Sequence, residues 1–293
     1  MPLLPVLLLL VQAVISVHTE LVAVPVIVTD AHGRHVSGLS QDNFRVYEDG
    51  RPQPIAVFLH GDVPITLGLV IDRSQSMRPK GQALSDAVSA ILQSSRPDDE
   101  LFAVDFNDRV SLALPDGRPF THEGKALEAA LTAVRAEGQT ALYDGVAEGL
   151  QHLQLGHTEK HALIVVSDGG DNASRHKLGE VISRLAEQAG TLVYTIGIFD
   201  AEDQDQNPGI LKRIAQATGG EAFFPRHLED VVSTCEHIAR DIRQQYTLGY
   251  VSNNPTRPGA HHAIRVVAHP RDEMPGKTKL TVRTRSGYTA GVQ

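Results

Sequence analysis

Ile65-Thr66-Leu67-Gly68-Leu69-Val70-Ile71-Asp72-Arg73-Ser74-Gln75-Ser76 is an apolar run that ends abruptly in a D-x-S-x-S cluster of oxygen-bearing side chains. A run this uniformly aliphatic reads as a central parallel strand covered on both faces, because a half-exposed strand would alternate. Asp72, Ser74 and Ser76 then emerge at the carboxyl edge of a sheet, where doubly wound folds bind their ligands. A D-x-S-x-S stretch taken singly is also what an ordinary helix cap or turn looks like, since Asp and Ser satisfy free backbone N–H groups.

Two downstream segments make the motif specific. Gly138-Gln139-Thr140-Ala141-Leu142-Tyr143-Asp144-Gly145 is a glycine-led loop entering a helix, with Leu142, Val146, Leu150 and Leu153 at helical spacing, so Thr140 sits near that helix's start. A Thr there also suits an N-cap. A second buried strand, Ala162 to Val166, ends in Ser167-Asp168-Gly169-Gly170-Asp171, so Asp168 mirrors Asp72. Strands are also expected at Leu101–Phe106, Val110–Leu114, Thr191–Ile198 and Ala222–Phe224. Helices fill the gaps, marked by Leu84, Val88, Ile91 and Leu92, then Leu127, Leu131 and Val134, then Val181, Ile182 and Leu185. Such alternation predicts an α/β, doubly wound, mostly parallel sheet, with Asp72 and Asp168 meeting at its topological switch point.

On these residues the chain resembles the von Willebrand factor A (VWA) family, whose metal-ion-dependent adhesion site is written D-x-S-x-S, then a lone Thr, then a strand-terminal Asp. The resemblance covers residues 64–245. It implies that Ser74, Ser76 and Thr140 are hydroxyl ligands of a metal, with Asp72 and Asp168 holding it directly or through water. Gln75 departs from the family, which usually has Gly there; every candidate ligand is kept. Asp144 and Asp171 are expected to be loop or supporting groups rather than ligands.

The chemistry of the donors agrees. Hydroxyls and carboxylates are hard oxygen ligands that suit Mg2+, with Mn2+ or Ca2+ as alternatives, and the set has no thiolate or imidazole to favour zinc. Two carboxylates bring a charge of about −2, which only just neutralises a divalent ion and leaves a position for an outside donor. The expected partner is a protein presenting an Asp or Glu carboxylate.

A net charge of −8 without any basic run argues against nucleic acid as a partner, because phosphate binding needs concentrated Lys and Arg. Met1 to Ser16 is Leu- and Val-rich and reads as a signal peptide, with a membrane anchor as the rival; no other membrane insertion is expected. That leader is the basis for a secreted or periplasmic location. Cys235 is the only cysteine, so no intrachain disulfide forms, and its helical neighbours Val231, Val232 and Ile238 make it a core residue.

Residues 19–62 and 246–290 are β-rich. Leu21 to Thr29, Phe44-Arg45-Val46-Tyr47 before the turn signal Glu48-Asp49-Gly50, Tyr246–Val251, Ala263–Val267 and Leu280–Thr284 read as strands. Each end alone has too few strands to bury a core, so the two are expected to pair into one accessory β domain interrupted by the VWA domain. The arrangement is similar to VWFA-related proteins of secreted bacterial type, on the leading β segment, the Tyr-Glu-Asp-Gly turn and the closing Gly287-Tyr288.

Other candidates carry less. Asp203-Gln204-Asp205-Gln206-Asn207 opens like a calcium loop, but Pro208 stands where Gly is needed and Ile214 where the bidentate Glu belongs, so it reads as a solvated acidic loop. His261-His262 is expected on the surface of a β turn with no carboxylate nearby. No G-x-S-x-G, G-x-G-x-x-G or phosphate-loop pattern occurs where chemistry would need one, so no enzyme is expected. Three readings stand in order: a cation-dependent protein-binding module, a scaffold or assembly subunit with a structural metal, and a metal-dependent hydrolase with Asp171 as base.

Overall fold

The computed structural model describes residues 21–290 apart from 116, 133, 189, 200–205, 255–258 and 272–278. The segment read as a signal peptide, Met1 to Ser16, and Asp203-Gln204-Asp205 of the acidic stretch therefore lie outside the described residues. Four strands come first: β1 (Leu21–Thr29), β2 (Phe44–Glu48), β3 (Arg51–Gln53) and β4 (Val57–Leu59). The central elements follow as β5 (Ile65–Asp72), α1 (Gly81–Gln93), β6 (Glu100–Phe106), β7 (Val110–Leu112), α2 (Gly124–Thr132), α3 (Leu142–Leu153), β8 (Lys160–Ser167), α4 (Leu178–Glu187), β9 (Thr191–Gly197), α5 (Pro208–Gln216), β10 (Ala222–Phe223) and α6 (Leu228–Gln244). Four strands close the described chain: β11 (Tyr246–Val251), β12 (His261–Ala268), β13 (Thr281–Thr284) and β14 (Gly287–Thr289).

The central sheet has the order β10-β9-β8-β5-β6-β7, parallel except where β7 returns antiparallel along β6. All eight residues of β5 are buried, as its uninterrupted apolar sequence requires of a strand covered on both faces. Successive side chains go to opposite layers. Leu67, Leu69 and Ile71 pack with Leu84, Val88 and Ile91 of α1, Leu127 and Leu131 of α2, and Cys235 and Ile238 of α6. On the other face, Val70 packs with Val146 and Leu150 of α3, Val181 and Leu185 of α4, and Leu211 and Ile214 of α5. The helix α2 stops at Thr132, and Val134, which shares its apolar spacing, stands exposed.

Because β6 and β8 flank β5 on opposite sides, the winding reverses between β5 and β8. Asp72 ends β5 and Asp168 follows the last residue of β8, so the two carboxylates meet at this reversal.

Strands from the two ends of the chain pair directly with one another. One four-stranded sheet runs β13-β1-β11-β4 and the other β14-β12-β2-β3. Between them lies an apolar layer with Val22, Val24, Val26, Phe44, Val46, Tyr246, Leu248 and Tyr250. The β2–β3 hairpin turns on Asp49 (φ 48°) and Gly50 (φ 78°), the two left-handed positions that an Asp-Gly turn supplies. That turn corrects the expectation for His261-His262. Both residues belong to β12, whose side chains alternate in and out; His261 is exposed, but His262 is buried, with Nδ1 2.8 Å from Asp49 Oδ2 and 3.8 Å from Glu48 Oε1. The carboxylates come from a hairpin more than 200 residues away in sequence, which spacing along the chain does not reveal.

Candidate metal centre

Loops that follow β5 and β8 and precede α3 and α5 converge over the switch point. They enclose an open cleft of about 690 Å³ lined by Ser74, Ser76, Thr140 and Asp168, with Gln75 and Asn172 among the neighbours. Asp72 lies beneath as a fully buried floor. Its Oδ1 accepts the Ser74 N–H at 2.9 Å and its Oδ2 accepts the Ser167 hydroxyl at 2.6 Å. The Ser76 hydroxyl donates to Asp168 Oδ2 at 2.6 Å, and the Ser74 and Ser76 oxygens are 3.1 Å apart. Asp168 Oδ1 accepts the Gly170 N–H at 3.2 Å. All five residues singled out by sequence are thus gathered at one place.

The loops are joined by backbone bonds of their own. Gln75 N–H donates to the Gly138 carbonyl at 3.1 Å, Asn172 N–H to the Thr140 carbonyl at 2.9 Å, and Asn207 N–H to the Asp168 carbonyl at 2.8 Å. Among the described residues only Asp49 is a non-glycine residue with positive φ, so Gln75 needs no glycine-like conformation. Its backbone starts a short 3-10 turn over Gln75–Lys80. The N-cap of α3 is Ala141, without a side-chain cap, so Thr140 does not serve as the cap that its sequence position allowed. Asp144 instead accepts the N–H groups of Arg175 and His176, and Asp171 Oδ1 accepts the Tyr143 N–H and the Ser174 hydroxyl.

The electrostatics of the pair are unbalanced. Burial first, and the neighbouring charge of Asp168 second, push the Asp72 carboxyl up to about 6. Lys80, buried at the end of the 3-10 turn, places Nζ 3.1 Å from Asp168 Oδ2. Neither Lys80 nor Ser167 emerged as a site residue from sequence. Ser167 stood beside Asp168 in the strand end, whereas Lys80 reaches the cleft only through the fold of the turn. Two buried carboxylates, two serine hydroxyls and a threonine fit a hard divalent cation and offer no soft donor.

Among the described residues no helix is long and apolar enough to cross a membrane. The profile of the von Willebrand factor type A domain matches residues 67–236. The chain is 28% identical over 184 residues to the uncharacterized protein sll0103 of Synechocystis sp. (strain ATCC 27184 / PCC 6803 / Kazusa), a match covering 60% of this chain and 41% of that protein. The chain therefore spans less than half the length of that relative. Among solved structures, a von Willebrand factor type A protein from Catenulispora acidiphila superposes with a TM-score of 0.55 at 14% identity, over 85% of this chain and 74% of the other. Proximal thread matrix protein 1 from the mussel byssus, solved with a zinc-occupied MIDAS motif, gives 0.51 at 17% identity over 68% of this chain and 50% of its own. At these identities the likeness is one of fold. The profile, which spans more than half of the sequence, and the strand order that places Asp72 beside Asp168 lead to one conclusion: this chain belongs to the von Willebrand factor type A domain family.

Proposed function

We propose that the protein is a divalent-cation-dependent binding module. In this reading Asp72, Ser74, Ser76, Thr140 and Asp168 hold Mg2+, with Mn2+ or Ca2+ suiting the same donors, and a protein partner contributes an Asp or Glu carboxylate. The observation that supports it best is the buried Asp72–Asp168 pair at the base of an open cleft, where mutual repulsion and desolvation leave negative charge that a cation would offset. When bound, the ion supplies a Lewis-acidic position for the incoming carboxylate. Ser167 and the Ser74 N–H fix both oxygens of Asp72, Ser76 fixes Asp168, and the amide side chains of Gln75, Gln139, Asn172 and Asn207 rim the cleft with hydrogen-bonding groups for an acidic partner segment.

The reading also holds that the protein is not an enzyme, because Asp171, the other carboxylate lining the cleft, has Oδ1 engaged by the Tyr143 N–H at the start of α3 and by the Ser174 hydroxyl. It includes a location outside the cytoplasm, which rests on the expectation that Met1 to Ser16 is a signal peptide. A scaffold role with a structural metal is the second reading; the backbone bonds that already join the loops weigh toward the binding module.

The test is calorimetric titration of the metal-stripped protein with magnesium, manganese and calcium, beside Asp72→Ala and Asp168→Ala. One-site binding lost in both variants, with folded circular dichroism, is the expected result. Unchanged affinity in both variants would sink the site, and unfolding of wild type on chelation would favour the scaffold.

A further inference from the structure

On the side of α6 that meets the segment after β1, three potential ligands come together away from the adhesion-type cleft. His35 Nε2 lies 2.8 Å from Asp241 Oδ1, and His237 Nε2 lies 3.6 Å from the same oxygen. All three atoms fall within 4.8 Å of one another. Ligand atoms about 2.0–2.1 Å from a tetrahedral zinc are separated by roughly 3.3 Å, and the two measured contacts bracket that spacing. We propose that His35, His237 and Asp241 form a second metal site, for zinc or another transition-metal ion that favours imidazole, linking α6 to the segment that follows β1.

The state of Asp241 Oδ1 carries the argument. The oxygen is buried and has no hydrogen-bond partner among the described residues, so its 2.8 Å approach to His35 lacks hydrogen-bond geometry. A carboxylate oxygen and two ring nitrogens that converge without bonding to one another suit a shared cation better than an ordinary ion pair. The other oxygen, Oδ2, accepts from the Tyr194 hydroxyl at 3.1 Å and from the Arg283 guanidinium, which fixes the orientation of the carboxylate as partners of a metal ligand do.

His237 and Asp241 stand one turn apart on α6 and so share a face. The His35 and His237 rings stack with centroids 5.7 Å apart, and Phe223 packs edge-on to His237. One carboxylate already shared with a guanidinium is too little anionic charge for magnesium or calcium, whereas two imidazoles favour zinc. The His237 side chain is 38% exposed, which gives the ion a way in and leaves a fourth position to water.

The experiment is a cobalt titration of the metal-stripped full chain in an Asp72→Ala background, which disables the first site, followed by displacement with zinc. Tetrahedral cobalt bound by nitrogen gives an intense visible band that an octahedral oxygen site does not. One equivalent of such a band, displaced by zinc and weakened at least ~100-fold in affinity by His237→Gln, is expected, since even supporting residues of a metal ligand are worth 10–100-fold. His35→Gln gives the same loss. No intense band, or an undiminished one in His237→Gln, overturns the proposal; because His237 is partly exposed, that variant decides the matter even if His35→Gln fails to fold.

Discussion

The ammonium of Lys80, 3.1 Å from Asp168 Oδ2, is a cation built into the cleft. It offsets one carboxylate where repulsion between Asp72 and Asp168 would otherwise be fully felt, and it competes with an incoming metal for the same oxygen. Lys80→Met is therefore expected to tighten magnesium binding by about tenfold or more, the equivalent of one charge-assisted hydrogen bond, and to lower the stability of the metal-free protein. Calorimetry and thermal melting with and without magnesium separate the two effects. Weaker magnesium binding in the variant would instead make Lys80 a positioning group for Asp168. Ser167 acts in the opposite sense, donating to Asp72 Oδ2 at 2.6 Å; Ser167→Ala removes that support while every proposed ligand remains.

At the scale of elements, the turn by which the chain leaves β8, packed against the segment that precedes α5, is set by Gly169. Its φ is +84°, and a Cβ there would lie 2.4 Å from the Asn207 carbonyl oxygen, whose own N–H bonds the Asp168 carbonyl. Both the left-handed conformation and the close backbone approach exclude a side chain. Gly169→Ala is expected to cost at least ~2 kcal/mol, read by urea denaturation, and to weaken metal binding as the loop after Asp168 is displaced. A stability change under about 0.5 kcal/mol, the range of an ordinary surface substitution, would show that the turn has room to relax.

Across the whole molecule, the points where the chain enters and leaves the central sheet are tied together at the edge opposite the cleft. Lys160 Nζ donates to the carbonyls of Gly61, before β5, and Arg243, near the end of α6, both at 2.9 Å. Arg243 also pairs with the buried Asp99, whose Oδ1 accepts the Ile65 N–H at 3.1 Å. Burial first, and then the charge of Arg243, push Lys160 down to about 8 from an ordinary value of 10.5. Between these values the unfolded chain binds more protons than the folded one, so this residue's contribution makes stability rise with pH through that window. Denaturation from pH 8 to 10.5 should show that rise in wild type and a flatter profile in Lys160→Met.

Glu48 behaves the other way at the junction of the two flanking sheets. Burial raises its pKa, but hydrogen bonds from Ser252, Tyr250, Asn254 and Tyr288 outweigh it and bring the carboxyl below its usual range. Its stabilisation is therefore present above the ordinary carboxylate range and is lost as pH falls through the lowered value. Glu48→Gln should lose at least ~2 kcal/mol at neutral pH and show a shallower acid-unfolding slope, both measurable by circular dichroism.

Local chemistry made much of this legible. The strand β5 was readable because the short apolar run Ile65 to Ile71 between polar turns suits a strand covered on both faces, and Asp72, Ser74, Ser76, Thr140 and Asp168 were readable because oxygen donors at two strand ends and before a helix follow the order of the family that the chain resembles. The Asp49-Gly50 turn was readable because few residues accept left-handed φ at two successive positions. Contacts between distant parts of the chain were not. Lys80 meets Asp168 across 88 residues, and His262 meets Asp49 across 213. His35 reaches the α6 pair only because β1 faces two ways, with Val24 and Val26 in the flanking apolar layer and Ile27 in the core of the central sheet. Hydrophobic periodicity states which face of an element is covered, but not which distant side chain lies on the far side, since that depends on how the layers stack.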